Sequence, residues 1–101
     1  MIEPTELMVD VISDVACPWC FIGMKRLERA IELAPDINVS VRWRPYQLDP
    51  SIPREGLPRR EYMLAKFGSE QRLREAHNMV SHLGEAESIR FNFDAIEVAP
   101  N

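Results

Sequence analysis

The sequence predicts an α/β fold: a strand-helix-strand unit followed by helices, with a sheet left incomplete before Asn101. Three observations predict it. Leu7-Met8-Val9-Asp10-Val11-Ile12-Ser13 is short and rich in Val and Ile, as a largely buried strand would be. Cys20, Met24, Leu27, Ile31 and Ala34 then recur at three- and four-residue steps, the period of an amphipathic helix. Val39-Ser40-Val41-Arg42-Trp43-Arg44 alternates apolar and polar residues, as a half-buried strand does.

The helix opens at Cys17-Pro18-Trp19-Cys20, after Asp14-Val15-Ala16. Pro18 suits its first turn, where a missing N–H would have no partner. Lys25, Arg26, Glu28, Arg29 and Glu32 fill the other faces and Pro35 ends it. Gly23 lies inside the helix against propensity, which predicts close packing there. If both strands share one sheet, the connection between them requires them to be parallel.

Four of the eight prolines (Pro45, Pro50, Pro53, Pro58) fall between Pro45 and Pro58, which reads as a stiff, irregular loop. Pro58 opens a short helix to Phe67, closed by Gly68. Ser69 is a good N-cap for the next helix, with Glu70 in its first turn. Leu73, Ala76, Val80 and Leu83 form its stripe, and Gly84 is the expected C-terminal cap. Phe91-Asn92-Phe93-Asp94 is expected as a short extended piece. No further strand is expected. Residues 1–50 are thus read as the β-α-β part and 51–101 as a linker with helices.

The chain of 101 residues has 46% hydrophobic and 28% charged residues and a formal charge of −4, a globular composition. Mild acidity and dispersed arginines argue against a nucleic-acid partner. No apolar run is long enough to span a membrane. Glu3 and Glu6 stand where a signal peptide would carry Lys or Arg, so the expected location is the cytoplasm. In that compartment a disulfide is more often catalytic than structural.

The two cysteines, Cys17 and Cys20, are the chain's entire thiol complement. A bridge closing so short a loop removes little unfolded-state entropy, so reactivity explains the pairing better than stability. Disulfide exchange needs a thiolate, and a cysteine at a helix N-terminus gains one from unsatisfied N–H groups and the macrodipole. The expectation is a lowered pKa for Cys17, the attacking sulfur. Cys20, a turn later on the apolar stripe, is expected to be the more buried, resolving partner. Pro18 and Trp19, between them, tune the pair, and an outward Trp19 could contact an unfolded peptide or pack on a loop. The competing use of the motif is half a zinc site. His77 and His82 are remote from it in sequence and fall on different helix faces, so both are read as ordinary helix residues and no metal is expected.

Asp10 and Asp14 flank the strand end near the cysteines. Proton transfer is open to them, but a solvated turn or cap is the favoured reading. Arg42 and Arg44 share a strand face and are read as a salt-bridged surface rather than an anion site. Trp43 and Tyr46 are read as core and loop packing.

A pair of cysteines in this setting, after a strand and opening a helix, is thioredoxin-like. The wider run Asp14-Val15-Ala16-Cys17-Pro18-Trp19-Cys20-Phe21-Ile22-Gly23 resembles the active-site segment of FrnE-type DsbA-like oxidoreductases. Arg42-Trp43-Arg44-Pro45-Tyr46-Gln47-Leu48-Asp49-Pro50 resembles that family's second strand and following loop. Arg54-Glu55-Gly56, Tyr62, Lys66-Phe67-Gly68 and the stretch from Phe91-Asn92-Phe93 to Pro100-Asn101 match in order.

The resemblance implies a thioredoxin fold interrupted by a helical insertion, with redox or isomerase activity on protein disulfides. Cys17 is then the nucleophile, Cys20 its partner, and their own disulfide the redox group, with no other cofactor. Related kappa transferases and hydroxychromene carboxylate isomerases share the fold but typically lack the paired cysteines, which favours redox chemistry here. The chain is expected to be an N-terminal fragment, since the superfamily's later cis-proline loop has no counterpart in it. Two alternatives follow: a non-catalytic piece that binds or dimerises through uncovered apolar faces, or a small-molecule isomerase.

Overall fold

The computed structural model describes residues 5–101, in the order strand, helix, strand, short strand, two helices, a single 3₁₀ turn and a last short strand. It divides into two compact units, Met1–Tyr46 and Gln47–Asn101.

In the first unit, strand β1 (Thr5–Ser13) runs parallel to β2 (Ile37–Pro45), joined through helix α1 (Pro18–Glu32). The register is in step throughout, from Thr5 opposite Ile37 to Ser13 opposite Pro45. One face carries the half-buried Val9, Val11, Val39 and Val41, and the other exposes Met8, Asp10, Ile12, Arg42 and Arg44. The largely buried strand expected from the Val/Ile run is therefore half right. Two strands with one crossover helix give each strand a single covered face. Ile12 is 66% exposed and Met8 61%. Trp43 and Tyr46, expected to pack, are exposed as well.

Cys20, Met24, Leu27, Ile31 and Ala34 are all half-buried, as the helical period predicts. The one fully buried side chain of α1, Ile22, lies off that stripe. Gly23 departs from expectation: a Cβ added there meets nothing within 4 Å, so close packing does not explain this glycine.

In the second unit, α2 (Arg59–Phe67) ends on Gly68, whose φ of 87° is the left-handed cap that glycine adopts without strain. Helix α3 (Glu70–Glu85) starts at Ser69, whose hydroxyl accepts the Arg72 N–H at 3.2 Å. Leu73, Val80, Ile52, Ile89, Phe93 and Ala99 are the buried hydrophobic residues. Gly84 is not the expected cap, because the helix runs through it and Ala86 occupies the C-cap. Its hydrogen instead leaves room for a ring: a Cβ there would lie 2.6 Å from Phe91.

The sequence reading missed a second sheet. Strand β3 (Leu57–Pro58) pairs antiparallel with β4 (Val98–Ala99), and a 3₁₀ turn at Phe93–Ala95 stands where an extended piece was expected. Gly56, at φ +83°, allows the approach, since a Cβ on it would sit 2.6 Å from Val98 Cγ1.

Candidate active site

The two cysteines sit where β1 hands over to α1. After Ser13 the chain turns through Asp14, whose side-chain Oδ1 accepts the Ala16 N–H at 2.8 Å and whose carbonyl accepts the Cys17 N–H at 3.1 Å. This Asx-type turn places Cys17 at the N-cap of α1 in extended geometry (φ −95°, ψ 117°), with Pro18 in the first turn. Val15 and Trp19 are exposed. Both cysteines are free thiols, half-buried, and hydrogen-bonded to one another.

Each sulfur has its own set of donors. The amides of Cys20 and Trp19 face the Cys17 sulfur and favour its thiolate, although neither closes a true side-chain cap. The Asp14 amide and the Ser13 hydroxyl hydrogen-bond to Cys20.

The balance overturns the expected order of acidity. Burial is the largest influence on Cys17 and, with the neighbouring Cys20 sulfur, pushes its pKa up despite the helix amides. Burial also pushes Cys20 up, but the donors from Asp14, Ser13 and Cys17 together more than offset it, and its pKa falls. Cys20 is also not the more enclosed of the two. The helix-terminus effect operates, as expected. It is outweighed first by burial of the Cys17 sulfur and then by the hydrogen bond to, and the charge of, the neighbouring Cys20 sulfur. Sequence reasoning missed Ser13 and the Asp14 amide, which sit on the strand end seven and six residues before Cys20. A serine closing the strand that leads into the motif was the available signal.

The remaining candidates are structural. Asp10 accepts from Arg42 Nε at 2.9 Å and from Arg44 Nε at 3.3 Å, the salt-bridged strand face expected. All three groups are well exposed, so the cluster contributes about 0–1 kcal/mol per pair. His82 is exposed, and His77 stacks on Phe93 in the second unit. Among the described residues no group of three or more His, Cys, Asp or Glu side chains is placed to hold a metal ion, and no helix is long and apolar enough to cross a membrane.

Comparison with known proteins bears on the family and the fold. The family model of the DSBA-like thioredoxin domain matches residues 8–101. The crystal structure of a probable DsbA oxidoreductase from Streptomyces coelicolor superposes with a TM-score of 0.74 at 30% identity, over 84% of this chain and 38% of its own. The uncharacterized protein YwbO of Bacillus subtilis (strain 168) is 42% identical over 43 residues, which is 43% of this chain and 20% of that protein. The chain thus spans well under half the length of each of these relatives. With its match running nearly end to end, the chain belongs to the DSBA-like thioredoxin domain family.

Proposed function

We propose that the chain carries the redox centre of a thiol-disulfide oxidoreductase or isomerase of the FrnE type, acting on protein disulfides. The observation that carries this reading is the pair of free, hydrogen-bonded thiols at the start of α1, supplied with donors that can hold a thiolate. At least one sulfur of such a pair is ionised readily enough to react.

Cys17 is the attacking sulfur in this proposal, on the strength of its N-cap position and the amides facing it; acidity and exposure do not favour it over Cys20. Its thiolate attacks a substrate disulfide, forming a Cys17-substrate bond and releasing the second substrate sulfur as a thiolate. Cys20 then attacks Cys17, closing the Cys17–Cys20 disulfide and releasing the first substrate sulfur. The substrate gains two electrons and two protons, and the protein pair loses them. The reverse sequence oxidises substrate thiols.

Replacing Cys17 by Ser is expected to abolish reduction of insulin disulfides, while Cys20→Ser should accumulate a mixed disulfide at Cys17. Retained activity without Cys17 sinks the proposal, and an adduct trapped only on Cys20 reverses the two roles.

A second reading has one observation in its favour. Met8 and Ile12 are largely exposed on one face of β1, an apolar surface that a second copy could cover. Sedimentation over a range of concentrations tests it: dimers that form with concentration support self-association, and a monomer throughout removes it.

A further inference from the structure

We infer that Asp14 is a positioning residue for the exchange reaction: the turn that its carboxylate braces keeps Cys17 in place for ring closure with Cys20, and so sets how strongly the Cys17–Cys20 disulfide forms. The inference deepens the redox reading above and rests on it.

Asp14-Val15-Ala16 is all that separates Ser13, at the end of β1, from Cys17. The Ser13 carbonyl accepts the Tyr46 N–H at 2.9 Å, which ties the strand end to the chain leaving β2. Asp14 then makes two bonds. Its carbonyl accepts the Cys17 N–H at 3.1 Å and closes a β-turn, and its Oδ1 accepts the Ala16 N–H at 2.8 Å inside that turn. Cys17 is held from the other side as well, because its own carbonyl accepts the Phe21 N–H at 3.3 Å, the first bond of the helix ladder. Val15 and Ala16 are exposed, so burial adds little to the turn and its hydrogen bonds carry it.

Ring closure depends on this turn through entropy. Cys17 at the N-cap and Cys20 about one helical turn later share a rigid frame only while the turn stands. Both cysteines are free thiols here, and the turn is already formed. Closing the disulfide therefore orders no backbone that is not ordered beforehand. With no side-chain acceptor at position 14, the Ala16 N–H turns to water and residues 14–16 gain freedom in the dithiol. Closure must then remove that freedom, and the disulfide forms less strongly.

With oxidised glutathione as the partner, the Cys17 thiolate attacks the glutathione disulfide, a Cys17–glutathione bond forms, and one glutathione thiolate leaves. The Cys20 thiolate then attacks the Cys17 sulfur, the Cys17–Cys20 bond forms, and the second glutathione leaves. Two electrons and two protons pass from the protein pair to glutathione. Asp14 acts on the second step, which is intramolecular and governed by where Cys17 is held.

The carboxylate also carries a charge, which disfavours a thiolate on Cys20. Three variants separate the charge from the turn. Asp14→Asn keeps an oxygen able to accept the Ala16 N–H and loses the charge. Asp14→Glu keeps the charge but carries it a methylene further, out of the turn geometry. Asp14→Ala loses both.

The test is the equilibrium of each protein with reduced and oxidised glutathione at several pH values, the open pair being counted by alkylation and mass spectrometry. At the acid end of the range, Asp14→Ala and Asp14→Glu are expected to weaken closure about fivefold, the scale of one net hydrogen bond. Asp14→Asn should match the native protein there. It should fall below it only as pH rises and the thiols ionise, because losing a negative charge favours the open thiolate form. A residue that only stabilised the fold would shift the thermal midpoint of both oxidation states alike and leave this equilibrium in place. Circular dichroism checks folding, and Asp14→Glu supplies the reading if Asp14→Ala unfolds. Closure unchanged in Asp14→Glu, or weakened as much in Asp14→Asn at the acid end, overturns the inference. Activity that survives Cys17→Ser defeats the redox reading itself, whereas an unmoved glutathione equilibrium with Cys17→Ser inactive defeats only the role of Asp14.

Discussion

His77 and Phe93 stack face to face, with ring centroids 4.2 Å apart and planes 14° from parallel. Phe91 stacks on Phe93 in turn at 5.1 Å, and the Arg59 guanidinium lies over the Phe93 ring at 5.2 Å. The same guanidinium reaches to 3.5 Å from His77 Nε2. Helices α2 and α3 and the 3₁₀ turn are thus tied through one aromatic ring.

This cluster makes the second unit sensitive to mild acid. Burial, and then the charge of Arg59, push the His77 pKa below its ordinary value of 6.5, while Asp94 acts weakly the other way. The unfolded chain therefore binds a proton more readily than the folded one. The stabilisation is complete above about pH 6.5 and is lost as pH falls below it, levelling off once the folded value is passed. Thermal unfolding followed from pH 7.5 to 5.5 should show a falling midpoint that His77→Phe, which keeps the stack without titrating, largely removes. An NMR titration placing the His77 ring at or above 6.5 defeats this prediction.

Gly84 gives a second prediction. Alanine ordinarily improves a helix interior by about 1 kcal/mol over glycine. Here its Cβ would lie 2.6 Å from Phe91 Cε2 and 2.9 Å from Cδ2, so the ring has to move. Overpacking of this kind costs about 1–3 kcal/mol, and the net effect of Gly84→Ala should be destabilising. Pairing it with Phe91→Leu should recover much of the loss. Denaturant unfolding of the two single variants and the double measures the coupling, and additive effects would show that the two residues do not compete for space.

What could be read from the sequence divides along the range of the interactions. Helices α1, α2 and α3 and strands β1 and β2 each announce themselves within one window, by period, by Pro18, or by Ser69 and Gly68 at helix ends. Strands β3 and β4 do not, because each is two residues long and pairs Leu57 with Ala99 across more than forty positions. Burial was misjudged for β1 because an apolar run reports what a strand can bury, and a pair of strands covers only one side of it. The site shows the same limit. The cysteine pair is plain from its spacing, whereas the order of the two acidities depends on burial and on the donors from Asp14, Ser13 and Cys17, which are set only once the turn at Asp14 has folded.

Gly23 supplies the last prediction, and it opposes that for Gly84. Both lie inside helices, yet an added Cβ on Gly23 finds nothing within 4 Å. With no steric penalty, the propensity difference and the smaller unfolded-state entropy act alone, and Gly23→Ala should stabilise the chain by about 0.5–1 kcal/mol. For a chain of this size that raises the unfolding midpoint by about 2–8 °C. The variant leaves Cys17, Cys20 and Ser13 unchanged, so thiol reactivity should stay as it was while the midpoint rises. A destabilised variant would mean that this face of α1 is held against another surface, and that the glycine is there to let it approach.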